Sequence, residues 1–168
     1  RREAEALVLP DLPAFLAGRY EPRDADERVA MTAACRFLGS HAAGARLWAD
    51  AIAADPGRAA AGRRHAVIAA ALAAGDAGGL AEADRARWRA RARGWIAEEV
   101  AAAEEAFASG PDGRARLRET LEDWTTSGHL AGVRDRPGID LLPGVERAEW
   151  AALWGKVDAL LRRAREPG

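Results

Sequence analysis

The sequence predicts an all-α fold of stacked antiparallel helix pairs with a closing C-terminal helix, and three observations predict it. Alanine supplies 43 of the 168 residues against 15 Val, Ile and Thr together, and alanine loses no rotamer freedom in a helix whereas β-branched residues do. Apolar residues recur at three- and four-residue steps through most of the chain, the period of a helix face and not the alternation of a strand. Glycine and proline fall between these stretches, where helices stop. A hydrophobic content of 49% with 30% charged residues places the chain among folded soluble proteins, because disordered segments lack the apolar surface that offsets ordering entropy. The length suits one compact domain or a few helical repeats and is too short for two catalytic domains.

Residues 1–8 read as the end of a helix from a preceding unit, stopped by Pro10, which removes a donor and disfavours helix in the residue before it. The chain opens on Arg1 and not on Met, which leads us to expect a piece of a longer protein. Asp11 is placed to cap a short helix over residues 12–17, with Pro13 tolerated in its first turn and Gly18 ending it. Asp24 or Asp26 caps the next helix, residues 25–38, in which Val29, Ala33 and Phe37 share one face and Gly39 supplies the left-handed stop. After the Gly39–Ser40 turn, Gly44, Leu47, Trp48, Ala51 and Ile52 form a stripe facing a partner helix, ended by Asp55-Pro56-Gly57.

Residues 59–74 form a helix of small side chains with Val67, Ile68 and Leu72 as its bulky members, and residues 76–80 are a glycine-rich loop. A long helix over residues 81–109 carries Trp88, Ala92, Trp95, Ile96, Val100, Ala103 and Phe107 on one stripe, with Gly94 softening its middle. Asp112 caps a helix to residue 126, with Leu117, Leu121 and Trp124 in register and Gly128 closing it. The pattern breaks over residues 129–144. The last helix, residues 145–165, sets Trp150, Trp154, Val157, Leu161 and Ala164 at alternating four- and three-residue intervals, the seam of a helix lying along a neighbour.

Composition excludes several kinds of partner. The 25 basic and 26 acidic residues leave a net charge of −1, so no whole-protein attraction to nucleic acid or anionic lipid is expected. The apolar run over residues 66–74 has nine residues, about half of what a membrane-spanning helix requires. Cys35 is the single cysteine, so no internal disulfide ties the fold to an oxidising compartment, and a cytoplasmic location is expected.

No residue pattern names a reaction. A protein kinase domain needs a glycine-rich loop, a strand lysine, a catalytic His-Arg-Asp and a metal-binding Asp-Phe-Gly, and the sequence holds none of them. Lys156 follows Gly155, but Trp150 stands where a phosphate loop requires glycine, and Val157 where it requires a hydroxyl. His41, His65 and His129 lie far apart with no metal-ligand spacing, so no metal and no cofactor are expected. Cys35 reads as a small buried hydrophobe. Glu98-Glu99 and Glu104-Glu105 are consecutive residues that diverge around a helix, a solvated face and not a catalytic pair. Arg85, Arg87, Arg89, Arg91 and Arg93 alternate with small residues and Trp88; a charged solvent face outweighs nucleic-acid binding. The six tryptophans, Trp48, Trp88, Trp95, Trp124, Trp150 and Trp154, all sit on apolar stripes and supply bulk that alanine lacks.

One helix pair carries a repeat signature. Residues 25–56 have the length and helix–turn–helix–proline layout of a tetratricopeptide repeat. Gly39 stands at its turn, His41 at its aromatic position, Gly44 and Ala51 at its small positions, Trp48 at a large aromatic position and Pro56 at its stop; Arg28 and Thr32 depart from the pattern. The following pair, residues 59–74 and 81–109, is at best a divergent repeat, because its second helix is about twice the usual length.

More of the chain resembles the helical region that follows the catalytic domain in bacterial serine/threonine protein kinases carrying tetratricopeptide repeats. The residues that carry the likeness are Leu12-Pro13-Ala14-Phe15-Leu16, the run from Arg46 to Pro56, the alanine helix from Arg64 to Gly75, Leu130-Ala131-Gly132-Val133-Arg134-Asp135, and the stretch from Trp150 to Arg165. The resemblance implies a tetratricopeptide-like α-solenoid and a non-catalytic module for protein–protein interaction; it transfers no catalytic residue. On this reading residues 1–20 are the end of a preceding helical unit with its linker, and residues 21–168 are the repeat domain. The first helix of each pair lines a groove for a protein or peptide partner, which nominates Val29, Ala33 and Arg36 as partner-binding residues. A structural cap on a longer repeat array and an Arg-dependent nucleic-acid binder are the alternatives.

Overall fold

The computed structural model describes residues 10–55, 62–75, 79–107 and 111–165. Among the described residues every regular element is helical. In chain order these are α1 (Leu12–Leu16), α2 (Ala25–Leu38), α3 (His41–Ala54), α4 (Arg63–Ala73), α5 (Glu82–Phe107), α6 (Pro111–Thr126), α7 (Ala131–Arg134), α8 (Arg136–Ile139) and α9 (Gly144–Arg165), with a 3₁₀ turn at Gly128–Leu130. The expected helix over residues 1–8, the Pro56-Gly57 stop and most of the 76–80 loop lie outside the described residues. No described helix is long and apolar enough to cross a membrane. The chain divides into two compact units, Arg1–Arg85 and Ala86–Gly168, and the boundary falls within α5.

In the first unit, Leu12 and Phe15 of α1 pack with Met31 and Cys35 of α2 and Leu47 of α3, and Tyr20, Ala34, Leu38 and Ala43 complete the cluster. Asp11 precedes α1 as expected, but its side chain makes no cap hydrogen bond. Its backbone already lies in the helical region (φ −86°, ψ −6°), whereas a capping side chain needs an extended residue to reach back. Asp24 meets that requirement at φ −147°, ψ −179°, and its carboxylate accepts from the Glu27 N–H at 2.8 Å. Of the two expected caps for α2, Asp24 is therefore the one used.

Glu27 ties the start of α2 to the preceding loop. Its carboxylate accepts from the Tyr20 hydroxyl at 2.9 Å, from the Arg23 N–H at 2.6 Å and from the Arg23 guanidinium at 2.7 Å. Hydrogen bonding by the Arg23 side chain, then by its backbone N–H, lowers the Glu27 carboxyl to about 2. Folded Glu27 thus holds its proton less tightly than an unfolded glutamate, whose pKa is about 4.3. The stabilisation is present above the unfolded value and is lost as pH falls through the folded one. Thermal melts between pH 5 and pH 2 are expected to show a falling midpoint, with a shallower fall in Glu27→Gln than in the wild type.

Helix α3 is held on two sides, by α2 and by α4. A Cβ at Gly44 would lie 3.3 Å from the Cys35 Cβ, a separation that holds α2 and α3 close. Toward α4 the contact is built from small residues: Ala45, Ala49, Ala66, Ala70 and Ala73 are buried around Val67. The stripe expected on α3 is accordingly only half right. Gly44 and Leu47 are buried, but Trp48, Ala51 and Ile52 are half-buried, and Ala45 and Ala49 take inner positions instead.

In the second unit, α6 packs along α9, and Leu117, Leu121, Trp124, Trp150, Leu153, Val157 and Leu161 are buried. The helix begins at Pro111 and takes in Asp112, so Asp112 lies in its first turn and is not the residue before it; proline, with no N–H to satisfy, suits that start. Helix α5 runs unbroken through Gly94 and buries Ala92, Trp95, Ile96 and Val100 as the periodicity requires.

The patternless stretch before α9 is ordered by side chains that bond to backbone. Arg134 donates to the carbonyls of Trp124 at 3.2 Å and Ser127 at 2.8 Å, which satisfies acceptors that the end of α6 leaves open. The Trp154 indole donates to the Val133 carbonyl at 2.7 Å. These bonds fix α7 between α6 and α9.

Arg89, 5% exposed, forms a two-pronged pair with Glu146 in the first turn of α9, Nε to Oε1 at 2.5 Å and Nη2 to Oε2 at 3.1 Å. One turn further along α5, Arg93 reaches Glu149 at 2.8 Å. The two rungs join α5 to α9, and the Glu146 carboxylate also sits where the helix dipole favours negative charge.

Candidate interaction face

The face nominated by the sequence is set by the way α2 is anchored. Asp24 and Glu27 fix its start; at its end Gly39 adopts φ 71°, a conformation that glycine reaches without strain, and the Ser40 N–H closes on the Cys35 carbonyl at 2.8 Å. Met31 and Cys35 face the core and are fully buried. Residues on the opposite side are therefore turned outward: Val29 is 66% and Phe37 72% exposed, and Ala33 and Arg36 are exposed with them. Val29, Ala33 and Phe37 follow one another at four-residue steps, so the strip is roughly 12 Å long. Val29, Ala33 and Arg36 thus lie together on one exposed side, joined by Phe37. Covering Val29 and Phe37 would release about 1.5–3 kcal/mol each by removal of apolar surface from water.

Other candidates from the sequence fall elsewhere. Trp48 stacks on His65 with ring centroids 5.9 Å apart and an interplanar angle of 13°. His129 is exposed at the 3₁₀ turn, and no cluster of metal-ligating side chains occurs among the described residues. The arginine row on α5 is drawn into several different contacts: Arg85 pairs with Glu82 at 2.6 Å, Arg89 with Glu146, Arg93 with Glu149, and Arg91 lies 5.4 Å from the Trp95 ring centroid. Four of the tryptophans, Trp95, Trp124, Trp150 and Trp154, are buried, and Trp48 and Trp88 are half-buried.

Cys35 is part of the core cluster, and burial pushes its thiol up to about 11. Its reaction with a disulfide reagent is expected to be slow in the native protein and to become fast in denaturant, because the thiolate is the reactive form.

Sequence reasoning missed a second pair of exposed apolar residues, Leu141 at 85% and Val145 at 76%. They flank Pro143 at the entry to α9, where no periodicity assigns a face. No family model, curated protein or solved structure matches the chain.

Proposed function

We propose that this chain is a non-catalytic helical-repeat module that binds a polypeptide segment through the outward face of α2, with Val29 and Phe37 as apolar anchors and Ala33 and Arg36 between them. The observation that carries the reading is the exposure of two large apolar side chains two turns apart on a helix whose other face packs Met31 and Cys35 into the core. The α2–α3 hairpin is read as a tetratricopeptide-like unit. Two helices of 14 residues each, Gly39 at the turn and the close approach at Gly44 support that reading. The resemblance to the region following the catalytic domain of bacterial serine/threonine kinases makes such a kinase, or a related repeat protein, the proposed parent.

Selection of a displayed library of amphipathic peptides against the whole chain tests the binding role. Peptides enriched on the wild type should lose about tenfold or more in affinity for each of Val29→Asp and Phe37→Asp, since each change removes one apolar anchor of about 1.4 kcal/mol or more. Both positions are exposed, so helix content should be unchanged. Binding that is equally tight to the wild type and to both variants would refute the assignment.

A further inference from the structure

The apolar row on α2 has a basic border. Arg28, Thr32 and Arg36 follow one another at four-residue steps directly beside Val29, Ala33 and Phe37. Arg36 is exposed and Arg28 half-buried. Thr32 is turned back onto its own helix, its hydroxyl donating to the Arg28 carbonyl at 2.8 Å, so the two guanidinium groups are the charged members of this border. Among the described residues neither has an ion-pair partner. No acidic residue stands three or four positions from Arg36, where the helix would set it alongside. Asp24, four positions before Arg28, accepts from the Glu27 N–H, and Glu27 itself is taken by Tyr20 and Arg23. The other acid of α2, Asp26, lies on the opposite border and ten residues before Arg36, about 15 Å along the helix axis.

Resting on the assignment of this face as the binding surface, we infer that the segment it takes is an acidic amphipathic helix. Its apolar row covers Val29, Ala33 and Phe37, and aspartate or glutamate beside that row pairs with Arg28 and Arg36. Guanidinium groups suit the task because they hold a carboxylate through two parallel bonds. Covering the apolar row also excludes water from beside the charges, which strengthens their attraction. A basic segment with the same apolar pattern would set like charges against both arginines, so the border discriminates between partners that Val29 and Phe37 alone would accept equally.

Fluorescence anisotropy of the whole chain with two labelled synthetic peptides tests this. Both peptides are helices with the same leucine row; one carries glutamate at every flanking position and the other lysine. The wild type should bind the glutamate peptide about tenfold more tightly than the lysine peptide, and the gap should narrow at high salt. Arg28→Glu/Arg36→Glu should invert the preference. Arg28→Gln/Arg36→Gln should abolish it, and decides the matter if the charge-reversed variant loses its helical signal. Equal affinity of the wild type for the two peptides, failure to bind either, or a glutamate preference that survives in both variants would overturn the inference. Val29→Asp and Phe37→Asp judge the underlying assignment separately: if they weaken the selected peptides while the wild type shows no preference for glutamate, the face binds a segment but not an acidic one.

Discussion

Glu146→Ala is expected to lower the unfolding free energy by about 3–5 kcal/mol, the range seen when one partner of a buried ion pair is removed. The physical reason is the position of Arg89. Its guanidinium is almost inaccessible to water and faces Glu146 through two bonds at 2.5 and 3.1 Å, so deleting the carboxylate removes the two-pronged anion from a cation that cannot recover its hydration. The double replacement Arg89→Met/Glu146→Leu removes both charges and fills similar volume, and should return most of the lost stability. Urea midpoints of the wild type, the single variant and the double variant make the comparison. A single variant as stable as the wild type would show that Arg89 is hydrated in the native state.

Trp150→Ala should be comparably damaging, at about 3–5 kcal/mol. Trp150 is fully buried in α9, stacks on Trp154 at 6.2 Å and lies 5.9 Å from the Arg93 guanidinium carbon. Among the described residues its indole N–H meets no hydrogen-bond acceptor, so its contribution comes from area and stacking and not from a polar contact. Trp150→Phe should therefore lose much less than Trp150→Ala, and thermal unfolding of the two variants separates these contributions. Equal losses in the two would place the energy in the indole edge.

The long helices were legible because their periodicity and their end signals agree. The bounds of α2 follow from Asp24 and Gly39, and α9 follows from a stripe sustained over five apolar residues. Which face of α2 turns inward is harder to read, since Val29, Ala33 and Phe37 form as good an apolar row as Met31 and Cys35. The contacts with Leu12, Phe15 and Leu47 decide it, and they come from two other helices.

Burial of Ala45 and Ala49 escaped notice because alanine is found on either side of a helix and gives no contrast. The Arg89–Glu146 pair was beyond reach for a different reason: its members are 57 residues apart, and alternating arginines define no helical face. Over residues 128–144 the order comes from Arg134 and Trp154 bonding to distant carbonyls, a tertiary cause with no local period. The candidate face itself was legible as a row of residues; its exposure was not.

Backbone NMR spectra of the isotopically labelled whole chain, recorded during titration with a peptide selected on it, test the interaction role most directly. The outcome expected is a set of shifts centred on Val29, Ala33, Arg36 and Phe37, with the amides of Met31 and Cys35 less affected and those of α9 unmoved. Shifts centred on any other element, with the α2 face silent at saturation, would contradict it.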